Sequence, residues 1–331
     1  MTGAAGPAGP GGPARSVVVP EVGPDALPGA MVRSDTGGAP VDRRGLLLGL
    51  TAYLMWGLFP LWFPLLAPAG AGEILAHRMI WSFVCMAVVT SLMTGWRPLW
   101  RLGPRQWLML AAAAVLIAVN WGVYIWAVNA GHVVDAALGY FINPLITVAL
   151  GVLVFRERLR RAQWVSVGLG TAAVVVLVVG SGSAPWTALV LATSFGLYGA
   201  IKKVVRAAPT VSMTAEGLIQ LVPAAVFLVV LQVHGGGTLD RGAGHLALLA
   251  VTGLLTCLPL LAFAGAAQRL PFTVLGGLQY LGPVLQLLLG VLWFDETMPP
   301  YRWAGFVIIW LALVVLSLDA VRTARRGRAP A

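Results

Sequence analysis

The chain has 331 residues, of which 59% are hydrophobic and 10% charged, with a formal net charge of +10. Soluble domains carry about 25% charged residues, so a chain this apolar cannot cover a water-facing surface and reads as an integral membrane protein. The excess of cations sits in short clusters between apolar runs, which is how membrane proteins are oriented, and no nucleic-acid partner is expected from it.

Residues 1–42 are rich in Gly, Pro and Ala, show no amphipathic period and lack the apolar core of a secretory signal. They are expected to form a disordered cytoplasmic tail. Ten apolar stretches follow, each predicted to be a helix: 45–66, 73–94, 106–129, 134–155, 162–180, 185–205, 211–233, 246–267, 273–294 and 302–319. At 1.5 Å per residue, each is long enough to cross a hydrocarbon core of about 30 Å. The stretches are continuously apolar rather than alternating, which argues against a membrane β-barrel. Residues 321–331 form a basic cytoplasmic tail. Cys85 and Cys257 both fall inside predicted spans, so no disulfide framework or zinc site is expected.

With ten spans, the positive charges segregate. Arg33, Arg43 and Arg44 precede the first span, and Arg97, Arg101 and Arg105 follow the second. Arg156, Arg158, Arg160 and Arg161 follow the fourth, Lys202, Lys203 and Arg206 end the sixth, and Arg269 follows the eighth. All lie on one side; the other holds only Arg241 and Arg302. This places both termini in the cytoplasm of a multi-pass protein.

The chain also repeats itself. Pro144, Leu150, Gly151, Val152, Leu153, Phe155, Glu157 and Trp164 return as Pro283, Leu289, Gly290, Val291, Leu292, Phe294, Glu296 and Trp303. Each pair is separated by 139 residues, as 283 − 144 and 303 − 164 both give. In the first helices, Trp56-Gly57 is matched to Tyr198-Gly199 at a slightly different offset. The expected units are two five-helix repeats, 43–181 and 182–320. An odd number of spans per repeat inverts the halves in the bilayer, an arrangement that puts a transporter's substrate site between them.

Ionisable and polar residues inside spans mark the candidate site, because they are costly there and face the bundle interior. Glu73, His77 and Arg78 are the densest such cluster. Glu73 and His77 share a face at four-residue spacing and are candidates for proton coupling, or else for an ion pair at the membrane interface. Arg78 lies deeper and is a candidate substrate contact. Asn120 and Tyr124 share a face of the third span, to line a polar-aromatic cavity or to hydrogen-bond between helices. Tyr140 and Asn143 precede Pro144 in the fourth span; Gln279 and Tyr280 precede Pro283 in the ninth. Pro144 and Pro283 are expected to kink matching helices of the two halves, a pointer to a midplane site. Glu157 and Glu296 read as fixed junctions between packed helices. There is no Walker pattern, metal-ligand spacing or nucleophile elbow, and no cofactor is expected.

Tyr53-Leu54-Met55-Trp56-Gly57, the paired Pro and Glu junctions and the five-plus-five organisation resemble the EamA family of the drug/metabolite transporter superfamily. The stretch from Glu73 to Ser82, Asn120-Trp121, Trp126 to Asn129, Leu138 to Leu145 and Gln279 to Pro283 are similar to its RarD subgroup. The resemblance spans about residues 44–320 and implies a bacterial inner-membrane permease. The reading is an all-α membrane protein acting as a secondary transporter of a small organic metabolite or drug-like solute. The rival classes are a membrane-embedded enzyme and a sensor or assembly factor. Expected partners are the solute and membrane lipids, with a second copy of the chain also allowed.

Overall fold

The computed structural model describes residues 42–326 except 155, 157, 206 and 271. The N-terminal tail, Glu157 and the end of the basic tail therefore lie outside the described residues. Those described contain twelve α-helices and no strand. Their ranges are α1 Arg43–Leu58, α2 Ala71–Met93, α3 Arg97–Trp100, α4 Pro104–Asn129, α5 Val133–Leu153 and α6 Arg161–Ser181 in the first half. In the second half they are α7 Trp186–Val204, α8 Pro209–Val233, α9 Ala243–Ala267, α10 Phe272–Leu278, α11 Leu281–Leu292 and α12 Pro300–Arg326.

Two predicted spans differ from what forms. The first stretch is helical only to Leu58, then continues as two 3₁₀ turns, Phe59–Leu61 and Phe63–Leu66. Pro60 and Pro64 cause this, since each removes an N–H donor and crowds the carbonyl four residues back. The ninth stretch is broken into α10 and α11 around Gln279 and Tyr280. Nine helical stretches among the described residues are long and apolar enough to cross a membrane, with α10 and α11 contributing one between them. Helix α7, with Lys202 and Lys203 in its last turn, is not among the nine.

Large apolar side chains lie on the surface, while several polar and charged ones are buried among the apolar core. Leu92, Val179 and Val233 are each more than 75% exposed, whereas Arg78, Asn120, Glu216 and Gln286 are at most 5% exposed. That inside-out distribution suits a chain whose solvent is lipid.

Helix packing follows the 139-residue repeat. Helix α5 packs on α7 as α11 packs on α1; α4 packs on α7 as α9 packs on α1; α2 packs on α9 as α8 packs on α4. The repeat mates α2 and α8, α5 and α11, and α6 and α12 pack on each other. The fine contacts correspond as well. A Cβ on Gly57 would meet Leu285 at 2.7 Å, and one on Gly196 would meet Ile146 at 2.9 Å. Gly196 is 139 residues after Gly57, and Leu285 is 139 after Ile146. The mate of Gly57 is thus Gly196 rather than Gly199, beside which a Cβ would meet nothing within 4 Å. Close packing of small residues, which drives helix association in lipid, identifies the mate that local similarity to Tyr198-Gly199 obscures.

Candidate functional site

A cavity of about 430 Å³ lies among α1, α2, α4, α5, α7, α8, α9 and α11. Helices α6 and α12 pack against each other and contribute nothing to its lining. The lining obeys the repeat: Trp56 and Phe195, Phe59 and Tyr198, Arg78 and Gly217, Tyr124 and Phe263, Tyr140 and Gln279, and Asn143 and Gly282 are mates at a spacing of 139, and both members of each pair face the cavity. The cavity thus draws on equivalent sequence positions of both halves. Its chemistry is unequal, however: at two of these pairs the first half supplies a guanidinium (Arg78) and an amide (Asn143) where the second supplies Gly217 and Gly282.

The seven residues read as substrate contacts, Arg78, Asn120, Tyr124, Tyr140, Asn143, Gln279 and Tyr280, all line this cavity, as do Pro144 and Pro283. Arg78 projects from α2, about two turns after its start. Its Nε–H donates to Thr256 Oγ1 at 2.9 Å, and the Thr256 hydroxyl in turn donates to the Thr252 carbonyl at 2.8 Å. The guanidinium lies 4.2 Å from the Trp121 ring centre and 5.3 Å from that of Phe59, within the range of cation–π attraction. A charged side chain at mid-membrane costs about 3 kcal/mol on insertion scales, so its placement demands compensation.

Asn120 does two jobs. Its Nδ2 donates to the Leu191 carbonyl at 2.9 Å and the Ser194 hydroxyl at 3.1 Å, fastening α4 to α7. Its Oδ1 is left 3.5 Å from the Tyr140 hydroxyl. Tyr124 stacks edge-on against Phe63 and Tyr140, with ring centres 5.8 and 5.7 Å away. The Tyr124 hydroxyl and Asn143 Oδ1 are buried without a hydrogen-bond partner among the described residues. Phe59 and Tyr124 belong to a buried apolar cluster with Phe63, Leu66, Ile125 and Val128, which backs this part of the lining.

Glu73 and His77 are not among the lining residues. Glu73 Oε1 accepts from the Thr238 N–H at 2.7 Å and the Thr238 hydroxyl at 2.9 Å, pinning the connection between α8 and α9. Thr238 Oγ1 is also 2.8 Å from His245 Nε2. His77 is buried, and neither ring nitrogen has a partner among the described residues. His77 immediately precedes Arg78 and is turned about 100° round the helix from it, and Glu73 lies five residues earlier, so neither shares Arg78's place in the cavity wall.

Sequence reasoning missed an ion pair on α8, the helix packed beside α2. Glu216 on α8 lines the cavity and is 5% exposed. Lys202 Nζ lies 2.5 Å from its Oε1, the Tyr198 hydroxyl donates to Oε2 at 3.1 Å, and Lys202 also bonds the Ser212 hydroxyl. The signal was available: Glu216 is the mate of His77, at 77 + 139. By sequence alone Lys202 reads as an orienting charge.

Glu296 holds a junction between halves. Its carboxylate accepts from the N–H groups of Val133 and Val134 (the latter at 3.1 Å), capping α5 from the other repeat. Beside it, Asp135 lies 3.4 Å from Arg302 and 3.6 Å from His132. Burial pushes the Glu296 carboxyl above its ordinary range, partly offset by the two backbone donors; Asp135 adds to the rise and Arg302 opposes it.

Comparison with known proteins gives a consistent picture. The EamA-like transporter family matches twice, over residues 43–179 and 183–318. Protein RarD of Streptomyces exfoliatus is 55% identical over 87% of this chain and 92% of its own length. Protein RarD of Escherichia coli K12 is 41% identical over 87% and 98%, and the uncharacterized transporter YojE of Bacillus subtilis is 38% identical over 86% and 97%. A crystal structure of another protein superposes with a TM-score of 0.56 at 20% identity, covering 83% of this chain and 98% of that one. That likeness concerns the fold alone.

Proposed function

Because the chain belongs to the EamA-like transporter family, we propose that this membrane transporter is a secondary carrier that moves a small organic solute across a bacterial inner membrane by alternating access. The observation that carries this reading is the cavity lined at equivalent positions by both repeats. In such a site, rocking one repeat against the other exchanges which side the solute faces. We take α7 as the tenth span, giving five per half, inverted repeats over 43–181 and 182–320, and both termini in the cytoplasm with the clustered cations. The seven lining residues are the substrate contacts of this reading, with Asn120 also serving as a helix tie.

Coupling to protons, with export as the direction, is placed on Glu216. It is the carboxylate that faces the cavity, whereas Glu73 is held by Thr238 and serves the α8–α9 connection. A proton on Glu216 would release Lys202 and alter the wall the solute touches. A carrier rather than an enzyme is favoured by the separation of the cavity's charged groups. Arg78 and Glu216 sit on different helices, each tied to its own partner, and are not arranged as an acid–base pair.

The test is flux in proteoliposomes. The wild type is expected to show pH-gradient-driven movement and solute counterflow; Glu216→Gln is expected to lose the first and keep the second. Product formation without vectorial movement would establish the enzyme reading instead.

A further inference from the structure

The charge of the cavity does not close. Its charged members among the described lining residues are Arg78 and Glu216. Glu216 is already neutralised by Lys202 at 2.5 Å. Arg78 is 4% exposed and has no carboxylate partner among the described residues. Its only hydrogen bond there spends Nε–H, one of five donors. The aromatic rings of Trp121 and Phe59 soften the burial of the cation but supply no counter-charge. The cavity therefore carries one uncompensated positive charge in an environment that strongly disfavours it.

We infer that the solute carried here is a singly charged organic anion, a carboxylate on an apolar or aromatic body, whose carboxylate pairs with Arg78. This rests on the reading of the cavity as the transported solute's site. The Thr256 bond fixes the guanidinium's orientation, because Thr256 gives its own proton to the Thr252 carbonyl and can only accept from Arg78. That leaves the terminal nitrogens of the fork for two parallel bonds to a carboxylate, a geometry that lysine cannot reproduce. The Tyr124 hydroxyl is a further buried, unpartnered donor in the same lining. Trp121, Tyr140 and Phe263 offer flat apolar walls to the body of the molecule. A cation would meet Arg78's repulsion with no unpaired carboxylate among the described lining residues to offset it. A doubly charged anion would leave one charge unpaired.

The test compares 3-phenylpropionate with its neutral amide and with 3-phenylpropylamine, by binding to the full-length protein in lipid nanodiscs. The wild type is expected to bind the acid at least tenfold tighter than the amide, and the amine least. Arg78→Met, which replaces a buried charge by an apolar side chain and is tolerated in many cores, should bring acid and amide within about twofold. Arg78→Lys should keep the order with weaker acid binding, which also controls for folding. An amide bound as well as the acid, a preference that survives Arg78→Met, or no binding of the acid would each overturn the inference. Flux of the same compounds in proteoliposomes separates the two readings. Acid bound but never moved leaves anion recognition standing and removes transport; amine or amide moved in preference leaves transport standing and removes anion recognition.

Discussion

Helix α5 runs unbroken from Val133 to Leu153 through Pro144, whereas its mate in the second half stops at Leu278 and restarts at Leu281, two residues before Pro283. The proline is common to both, so proline alone does not break the helix. The difference lies nearly two turns earlier. Gly276 and Gly277 stand where the first half has Ala137 and Leu138, and glycine in a helix interior costs about 1 kcal/mol relative to alanine. Two glycines plus a missing N–H break the helix; the missing N–H alone is tolerated. The break puts Gln279 and Tyr280, freed from regular helix, into the cavity wall, the one place where irregular backbone is sustainable at membrane depth.

The same two elements meet their neighbours with sizes exchanged. On α5, a Cβ at Gly139 would lie 2.9 Å from the Ala188 carbonyl oxygen and from Leu191 Cβ. In the second half the mate of Gly139 is Leu278, and the mate of Ala188 is Gly49. A Cβ at Gly49 would lie 2.7 Å from Leu278. Small meets small in one half, and large meets glycine in the other.

The largest effect should come from breaking that exchange. Gly139→Leu drives a side chain into the α7 backbone and should cost about 3 kcal/mol, the upper end of ordinary overpacking. It is read as a fall in the melting temperature of the detergent-purified protein. Adding Ala188→Gly rebuilds the second half's pairing and should recover part of the loss; no recovery would show that the two contacts are not equivalent. Next, Gly276→Ala with Gly277→Ala should stabilise the protein by up to about 2 kcal/mol in total, since a Cβ at either position meets nothing within 4 Å. If the break serves movement, solute exchange should slow as stability rises.

A smaller effect belongs to the junction that ties the halves. Glu296→Ala removes the carboxylate that accepts from Val133 and Val134 and should cost about 1 kcal/mol, as for other helix N-caps. Glu296→Gln keeps an acceptor oxygen and should cost less. The smallest effect is on pH dependence. The folded Glu296 carboxyl titrates above its ordinary range, through burial, so between the unfolded and folded values the folded state retains a proton the unfolded state has released. Stability contributed there is present below the unfolded value and is lost as pH rises through the folded one. Melting temperatures across that window should decline in the wild type and lose this component in Glu296→Gln.

Much of this was legible in the sequence, because apolar length and charge spacing are one-dimensional properties. The helices, their order and the convergence of Arg78, Tyr140, Asn143 and Gln279 on one cavity followed from periodicity and the repeat. What escaped depends on partners distant in the chain. Helical spacing cannot reveal that Asn120 spends its amide on Leu191 and Ser194, or that Glu73 reaches Thr238 across 165 residues. The Glu216–Lys202 pair escaped because Lys202 reads as an orienting charge and Glu216, a lone acid in an apolar run, stands in no local polar cluster that would single it out. The 3₁₀ turns at Pro60 and Pro64 were overlooked because hydropathy does not register a missing donor.

The central claim is that the cavity between the repeats faces each side of the membrane in turn. It is tested most directly by placing single cysteines at the repeat mates Asn143 and Gly282, with Cys85 and Cys257 replaced by alanine, and treating cells and inverted vesicles with a membrane-impermeant thiol reagent. The account predicts that both positions react from both sides and that a bound solute slows both reactions. Reaction from one side only, under every condition and at both positions, would contradict it.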